Sequence, residues 1–374
     1  MLDARLLVVL AAAVAVLAAV LLVHGGGSAS PLHAWVNVSG VYVVAPRVPA
    51  DGLLVGRGGS VSLSVVEVHR TKDGFLVRLG PGRYVAPGVY RLLVPGVGAA
   101  VARLSGWLKP VALSLGSRGR GLCACVYYGP LNSTVVGWLS RCRLAVLPPT
   151  APRSVVERLR GDGVVVLGYV SIATVGGWEP WAGLVNSSIV VAESPAWGEK
   201  IVDACSPKWE SILLDHALPY IVSKGFQGFM FDNLDVADKY PWMRNCVARL
   251  VEEARQRYHE AIIMVNRGFT VLPKIAPYID FLLFESFLTH YDAGAGAYRF
   301  WGGRNLEWEE AVLANATGLA EKWGYGIVLL AYAPPSDEAF QARLCSIYNR
   351  LGMGWPLYVA PWPLQAPGLC RPCR

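Results

Sequence analysis

The sequence predicts an α/β protein in which a (β/α)8 barrel of the TIM type follows a small antiparallel β domain and an N-terminal apolar helix. Eight apolar runs that alternate with helical patterns indicate the barrel. Short Val-rich runs between Gly and Pro residues indicate the β domain. The 374 residues are 53% hydrophobic and 16% charged, which excludes a disordered chain or a coiled coil.

The first 30 residues predict a signal anchor and a spacer. Residues 6–23 form an uncharged apolar run that follows Arg5 and precedes a glycine-rich stretch. As a helix this run is about 27 Å long, close to the thickness of a bilayer core. We therefore expect an uncleaved anchor with the rest of the chain outside the cytoplasm. Secretion after cleavage and a buried core helix are the alternatives.

Two further features agree with export. Four asparagines head an N-x-Ser/Thr sequence and predict a glycosylated surface: Asn37, Asn132, Asn186 and Asn315. The eight cysteines favour disulfides, although their spacing does not determine the pairing. The net charge of +7 comes without a basic stripe, so we expect no nucleic-acid partner.

Residues 31–117 predict a small β-sandwich-like domain. Strand-like runs recur at short intervals and are separated by turn signals such as Lys72-Asp73-Gly74. The runs cover residues 41–44, 60–69, 75–79, 90–94 and 99–104.

Residues 118–374 predict the barrel. Its eight strand-like runs cover residues 122–128, 144–147, 164–172, 228–231, 262–265, 281–284, 327–332 and 357–360. Apolar stripes at helical spacing lie over residues 247–258 and 312–323. A third helix is expected to begin at Ser206-Pro207, to kink at Pro219 and to end at Gly225. An open doubly wound sheet is the alternative, but no glycine-rich phosphate loop follows a strand.

Polar residues follow several predicted strands at the carboxyl end, where barrel enzymes place their reacting groups. Asp232 follows four apolar residues of the fourth strand, and Glu285 follows four of the sixth. Their strand ends share one rim, so we expect both carboxyl groups to face one cavity. Glycoside hydrolysis needs such a pair, with one acid and one nucleophile or base. Helix capping is the alternative for each carboxylate alone, and it is the favoured interpretation of Asp238.

No cofactor and no metal site are expected. The six histidines are scattered without the spacing of zinc ligands. A serine hydrolase is not indicated either, because the G-x-S-x-G sequence is missing.

Residues 122–363 resemble the endo-α-1,4-polygalactosaminidase family of glycoside hydrolases (family 114) and related predicted extracellular glycosidases. The similarity follows four motifs: LGYVSI from Leu167, WGEKIVD from Trp197, SPKW from Ser206 and KGFQGFMFDNLD from Lys224. The last of these is the most specific. The resemblance implies a barrel in which Asp232 and Glu285 are the catalytic pair. It also implies a sugar site lined by Tyr169, Asp203, Asn233, Asp235 and Asn266.

Further candidates for the sugar site lie at the third strand. Ser171 ends that strand, and Trp178 and Trp181 follow it as stacking platforms. We therefore expect a membrane-anchored, extracytoplasmic glycosidase that acts on an amino-sugar-containing polysaccharide or glycan. A barrel that binds glycan without cleaving it, or a structural component of the cell envelope, are the alternatives.

Overall fold

The computed structural model describes residues 33–37, 40–56, 59–72, 74–81, 84–104, 108, 123–194, 198–352, 354–370 and 373. They form two compact units, one of residues up to 114 with 321–324, and one of the other residues from 115 onward. The expected anchor in residues 1–30 lies outside this part of the chain, as does Trp197. Within it, no helix has the length and apolar character needed to cross a membrane.

The first unit contains one antiparallel sheet of seven strands in the order β1-β2-β5-β4-β3-β6-β7. The strands are β1 (His33–Asn37), β2 (Gly40–Ala45), β3 (Asp51–Gly56), β4 (Gly59–Thr71), β5 (Gly74–Pro81), β6 (Gly88–Val94) and β7 (Gly98–Leu104). The five predicted runs are all strands, whereas β1 and β3 were not predicted. The sequence predicts a sandwich-like domain, but these described strands lie in one continuous sheet rather than in two.

Alternating side chains build the core of this sheet. Along β7, Ala100, Ala102 and Leu104 are buried while the residues between them are exposed. The same period of two places Val41 and Val43 of β2 in the core. The sheet therefore has one apolar face, as expected for an antiparallel sheet with one face toward water.

The second unit contains eight parallel strands that follow chain order round a nearly closed barrel. The strands are β8 (Ala124–Val126), β9 (Leu144–Leu147), β10 (Val165–Ser171), β14 (Gly228–Asp232), β15 (Ile262–Asn266), β16 (Phe281–Glu285), β19 (Gly326–Tyr332) and β20 (Leu357–Ala360). All eight predicted strands are confirmed. Almost every residue in them is buried, because helices cover the outer face and side chains fill the inner one.

Shorter strands lie in the loops after β10 and β16 and at the C-terminal end of the barrel. β11 (Thr174–Gly176), β12 (Val190–Ser194) and β13 (Glu199–Val202) form a small sheet after β10, and β17 (Thr289–Asp292) pairs with β18 (Ala297–Phe300) after β16. β21 (Leu369–Cys370) lies antiparallel to β20. No helix follows β20 in the described residues, where Pro361, Pro363 and Pro367 oppose helix formation.

The C-terminal segment joins the last strand to the first. Cys370 forms a disulfide with Cys123, and the N–H of Tyr128 donates a hydrogen bond of 2.8 Å to the carbonyl of Leu364. The other disulfides are Cys125–Cys142, Cys205–Cys246 and Cys345–Cys373. The expectation of disulfides is thus confirmed. In the described part of the chain, Cys123, Cys125, Cys142 and Cys370 are the one group close enough to share a metal ion, and all four are in disulfides.

In the described part of the second unit, nine α-helices connect the barrel strands. They are α1 (Ser133–Leu139), α2 (Arg153–Gly161), α3 (Pro207–Ser211), α4 (Leu218–Ser223), α5 (Val236–Lys239), α6 (Arg244–Arg257), α7 (Leu272–Ile275), α8 (Arg304–Trp323) and α9 (Glu338–Leu351). A π-helical turn over Ile212–Ala217 separates α3 from α4 and ends two residues before Pro219, where the sequence predicts a kink. Gly225, with a φ of 90°, follows the end of α4 as predicted.

The apolar stripe of α6 is confirmed, but that of α8 is displaced by one residue. In α6, Val247, Leu250, Val251 and Ala254 are buried. In α8 the buried residues are Glu309, Leu313, Ala316 and Ala320, whereas Val312 and Leu319 of the predicted stripe are only half-buried. The buried face of α8 begins with a carboxylate, which a pattern of apolar residues does not detect.

Candidate active site

Three neighbouring strand ends bring Asp232, Asn266 and Glu285 together. These residues end β14, β15 and β16, which pair in parallel in that order. Nδ2 of Asn266 donates to Oδ1 of Asp232 over 2.8 Å and to Oε2 of Glu285 over 2.5 Å. The two carboxylate oxygens therefore lie no farther apart than the sum of these distances, about 5.3 Å.

Asp232 is fixed through one of its two oxygens. Oδ1 also accepts a hydrogen bond of 2.8 Å from the N–H of Asn233, while no described donor reaches Oδ2. Desolvation, and then repulsion from Glu285, raise the pKa of Asp232, and the hydrogen bonds from Asn266 and Asn233 partly oppose this. Asp232 therefore holds a proton more readily than an ordinary aspartate.

Glu285 is fixed through both of its oxygens. Oε1 accepts a hydrogen bond of 2.5 Å from the hydroxyl of Tyr332, the last residue of β19, and Oε2 is held by Asn266. The two donors come from the two strands that flank β16. The plane of this carboxyl group is therefore set by its neighbours in the barrel.

Two tyrosines that the sequence analysis missed complete the surroundings of the pair. Tyr128 follows β8, and its edge lies against Tyr169 with ring centroids 5.3 Å apart. Burial, followed by the negative charges of Asp232 and Glu285, raises the pKa of Tyr128 well above 10. The pKa of Tyr332 is raised by burial and by Glu285 in the same way. Their position at strand ends was the available signal, but a tyrosine in an apolar run is also an ordinary core residue.

Each of the three central residues is followed directly by a residue with a left-handed backbone. The φ angles are 58° at Asn233, 55° at Arg267 and 61° at Ser286. Residues other than glycine seldom adopt this conformation, which costs about 1–3 kcal/mol and is concentrated at functional sites. At the turn after Asn266 the backbone stays bonded to β16, since the N–H of Arg267 donates to the carbonyl of Leu283 over 2.9 Å.

A hydrogen bond joins the side chains of Ser171 and Asn233. Ser171 is buried, and its Oγ accepts a hydrogen bond of 3.1 Å from Nδ2 of Asn233. Nδ2 also donates to Oγ1 of Thr174, whose hydroxyl donates to Oε2 of Glu199. Ser171 and Asn233, which were both expected to line the sugar site, therefore lie next to Asp232. Their polar groups fix the turn that follows Asp232.

The other predicted sugar-site residues occupy different surroundings. Tyr169 is buried near Asp232, whose charge contributes, after burial, to raising the pKa of this tyrosine. Trp178 is 50% exposed and lies over Tyr169, with ring centroids 5.6 Å apart. Trp181 is only 2% exposed and packs against Tyr220, so its ring has a packing role instead of an open face.

Asp203 and Asp235 are not joined to the carboxyl pair by any hydrogen bond between described residues. Oδ1 of Asp203 accepts the N–H of Cys205 over 2.8 Å, which closes a turn before α3. Asp235 precedes α5 and is exposed, and its side chain makes no capping hydrogen bond to that helix.

Glu179 is a further buried carboxyl group in the loop after β10. Its Oε2 accepts the N–H of Gly176 over 2.8 Å, and its Oε1 is buried without a described hydrogen-bond partner. Burial, with smaller contributions from Glu199 and Asp232, raises the pKa of Glu179 to about 8, against the opposing effect of the Gly176 bond. This residue therefore carries a proton more readily than an ordinary glutamate.

Residues 142–300 match the model of glycoside-hydrolase family GH114. The central part of the barrel is therefore similar to glycoside hydrolases of family GH114. The matched residues include Asp232, Asn266 and Glu285. The resemblance to the polygalactosaminidase family and the expectation of a glycosidase are thereby confirmed. A comparison with curated proteins finds no match.

Two solved structures share the fold of this barrel. The glycoside hydrolase domain of PelA from Pseudomonas aeruginosa is 22% identical, with a TM-score of 0.55 over 66% of this chain and 97% of that one. Ega3 from Aspergillus fumigatus, in complex with galactosamine, is 17% identical, with a TM-score of 0.53 over 67% of this chain and 95% of that one. At these identities the likeness establishes the barrel architecture.

Proposed function

We propose that this chain hydrolyses glycosidic bonds in an extracellular, amino-sugar-containing polysaccharide, in the manner of an endo-α-1,4-polygalactosaminidase. Asp232 and Glu285 are the catalytic residues in this proposal. The observation that carries it is the bridge made by Asn266, which holds one oxygen of each carboxyl group within about 5.3 Å of the other on one rim. The galactosamine in the complex of Ega3 supports an amino sugar as the substrate unit.

The short bridge between the two carboxyl groups, with the bonded oxygens at most about 5.3 Å apart, favours a mechanism that retains the configuration of the sugar. Retaining glycosidases hold their carboxyl groups about 5–5.5 Å apart, whereas inverting enzymes need about 6.5–9.5 Å to admit a water molecule. In the first step Oδ2 of Asp232 attacks the anomeric carbon, and Glu285 gives its proton to the departing glycosidic oxygen. In the second step Glu285 takes a proton from water, and the resulting hydroxide oxygen displaces Asp232.

The hydrogen bonds support this division of roles. Asp232 is anchored through Oδ1 alone, which leaves Oδ2 for the attack. In the first step Glu285 carries the proton, and this removes the repulsion that, after desolvation, raises the pKa of Asp232. A protonated Glu285 therefore stabilises the ionised nucleophile that the first step requires.

The four disulfides support an extracytoplasmic location, because such bonds persist in oxidising compartments. Attachment to a membrane through residues 6–23 is part of the proposal and rests on their apolar composition. A glycosylated surface is proposed as well. Three of the four predicted acceptor asparagines, Asn132, Asn186 and Asn315, are exposed.

The full-length chain is to be incubated with amino-sugar polymers, and new reducing ends are to be measured. Asp232→Asn and Glu285→Gln are expected to lower the rate by at least about a thousandfold. Asp162→Asn and Glu260→Gln are matched controls, since both residues are exposed in loops that enter β10 and β15 at the opposite end of the barrel. If both site variants kept the unaltered rate, the assignment would be wrong. Binding of polymer without new reducing ends would favour a glycan-binding barrel.

A substrate with a better leaving group distinguishes the role of Asp232 from that of Glu285. An activated aryl glycoside needs little help from an acid, so Glu285→Gln should retain its first step on such a substrate, whereas Asp232→Asn should lose it. Azide should restore turnover of Glu285→Gln with retained configuration. The opposite pattern, with an active Asp232→Asn, would exchange the two roles.

A further inference from the structure

Glu309 is a buried carboxyl group next to the site that the proposed reaction does not use. It lies on the buried face of α8 and is 3% exposed. Its Oε2 accepts a hydrogen bond of 2.8 Å from the N–H of Leu288. A carboxyl group is costly to bury unless specific partners compensate it, so its partners indicate what it does.

The partner segment is the strained turn that directly follows Glu285. Ser286 and Leu288 both have left-handed backbones, with φ angles of 61° and 64°. Such a turn persists only where the surroundings hold it. Phe287 is held through its N–H, which donates to the carbonyl of Leu330 over 2.9 Å. Trp301 holds the two ends, since its indole N–H donates to the carbonyl of Ser286 and its backbone N–H to the carbonyl of Leu288. Glu309 provides the acceptor for the N–H of Leu288.

Glu309 also interacts with the neighbouring strand end. The positive charge of Arg267, which directly follows Asn266, acts on the Glu309 carboxyl group and partly offsets the rise in its pKa caused by burial. Arg267 is itself a left-handed residue. One buried side chain thus interacts with the residue after Asn266 and with the turn after Glu285.

We propose that Glu309 is a positioning residue of the active site, which fixes the direction of the Glu285 carboxyl group by holding the turn behind it. The inference rests on the proposed role of Glu285 and adds a residue from outside the barrel strands. It predicts that loss of the acceptor displaces Glu285 relative to Asp232, while the substrate still binds.

The test compares Glu309→Ala with Glu309→Gln and the unaltered enzyme on the same polymer. Glu309→Ala removes the acceptor and is expected to lower kcat by about 10- to 100-fold, with less than about a threefold change in KM. Glu309→Gln keeps an oxygen that can accept the N–H of Leu288, so its kcat should return to within about threefold of the unaltered enzyme. Glu307→Ala, on the exposed face of the same helix, is the matched control and should leave kcat unchanged.

A purely structural role predicts a different result. If Glu309→Ala melted at a lower temperature but kept its kcat, the proposal would be overturned. Should Glu309→Ala not fold, it is to be made together with Ser286→Gly, which relaxes the turn, and compared with Ser286→Gly alone. Glu285→Gln is measured in the same assay. An active Glu285→Gln would refute the proposed function, whereas an inactive Glu285→Gln beside a fully active Glu309→Ala would refute only the role of Glu309.

Discussion

The hydroxyl group of Tyr332 donates a hydrogen bond of 2.5 Å to Oε1 of Glu285. Glu285 lies opposite Leu330 in the register of β16 and β19, so Tyr332 reaches it from two residues further along the adjacent strand. Asn266 holds the other oxygen from the strand on the opposite side. In its proposed role as the general acid, Glu285 would keep its orientation while the substrate changes shape.

Replacement of Tyr332 by Phe should therefore reduce catalysis more than binding. A hydrogen bond to a charged group contributes about 1.5–3 kcal/mol, so we expect kcat to fall about 10- to 100-fold with little change in KM. Steady-state kinetics on the polymer measure both quantities. Tyr325→Phe is the control, because the Tyr325 hydroxyl donates to the carbonyl of Ala316 in α8 instead. Equal kcat values for Tyr332→Phe and the unaltered enzyme would show that the contact has no catalytic role.

Replacement of Asn266 by Ala should move the pH dependence of the reaction as well as its rate. The Asn266 hydrogen bond lowers the pKa of Asp232, so its loss raises that pKa further. If Asp232 is the nucleophile as proposed, the acidic limb of kcat/KM reports its ionisation in the free enzyme and should shift to higher pH. We also expect kcat to fall by about a hundredfold, because nothing then spaces the two carboxyl groups. Asn305→Ala, at an exposed position in α8, should alter neither. If the acidic limb of Asn266→Ala stayed at the same pH, the proposed effect of the Asn266 hydrogen bond on Asp232 would be contradicted.

The sequence was sufficient to predict the barrel strands and the meeting of Asp232 and Glu285, whereas Asn266 was implied only by the family resemblance, as a residue of the sugar site. Each barrel strand is a continuous apolar run, and each of these residues follows such a run directly, so the position of the strand end fixed that of the side chain. The sequence could not distinguish Tyr332 from the other aromatic residues of the apolar runs in the same way. Tyr332 is one of several aromatic residues in apolar runs, and only the register of β19 against β16 shows that its hydroxyl reaches a carboxylate.

Trp178 and Trp181 show the limit of residue type as a guide. Both tryptophans follow the third strand three residues apart, and both were predicted as stacking platforms. Trp178 is exposed over Tyr169, whereas Trp181 is buried against Tyr220. The direction in which each ring points depends on the loop between β10 and β12, whose backbone has no repeating period from which direction can be deduced.

Stability should fall as the pH rises from about 5 to about 8, and Glu179 should account for part of this. Its pKa is raised from 4.5 to about 8 in the folded chain, so the folded state holds a proton there that the unfolded state has lost. Stability falls with pH wherever the folded state binds more protons, with a slope of at most about 1.4 kcal/mol per pH unit for one group. Thermal unfolding at pH 5, 6.5 and 8 measures the effect.

Glu179→Gln should flatten this dependence and melt at a higher temperature than the unaltered chain at pH 8. The amide oxygen can still accept the N–H of Gly176, so the local turn is kept while the cost of ionisation is removed. Glu193→Gln, at an exposed position in β12, is the control and should leave the slope unchanged. An unaltered slope in Glu179→Gln would show that the group ionises freely.

The disulfide between Cys123 and Cys370 should contribute more to stability than the neighbouring one between Cys125 and Cys142. Their sequence separations are 247 and 17 residues, and a longer closed loop removes more conformational entropy from the unfolded chain. We expect Cys123→Ser with Cys370→Ser to lower the free energy of unfolding by about 2 kcal/mol more than Cys125→Ser with Cys142→Ser. The two bonds share one environment, since Sγ of Cys125 lies 3.6 Å from both Sγ of Cys123 and Sγ of Cys370, so local packing changes are matched. Chemical denaturation of the two double variants measures the difference. A larger loss for the short loop would mean that native packing, and not loop closure, determines what each bond contributes.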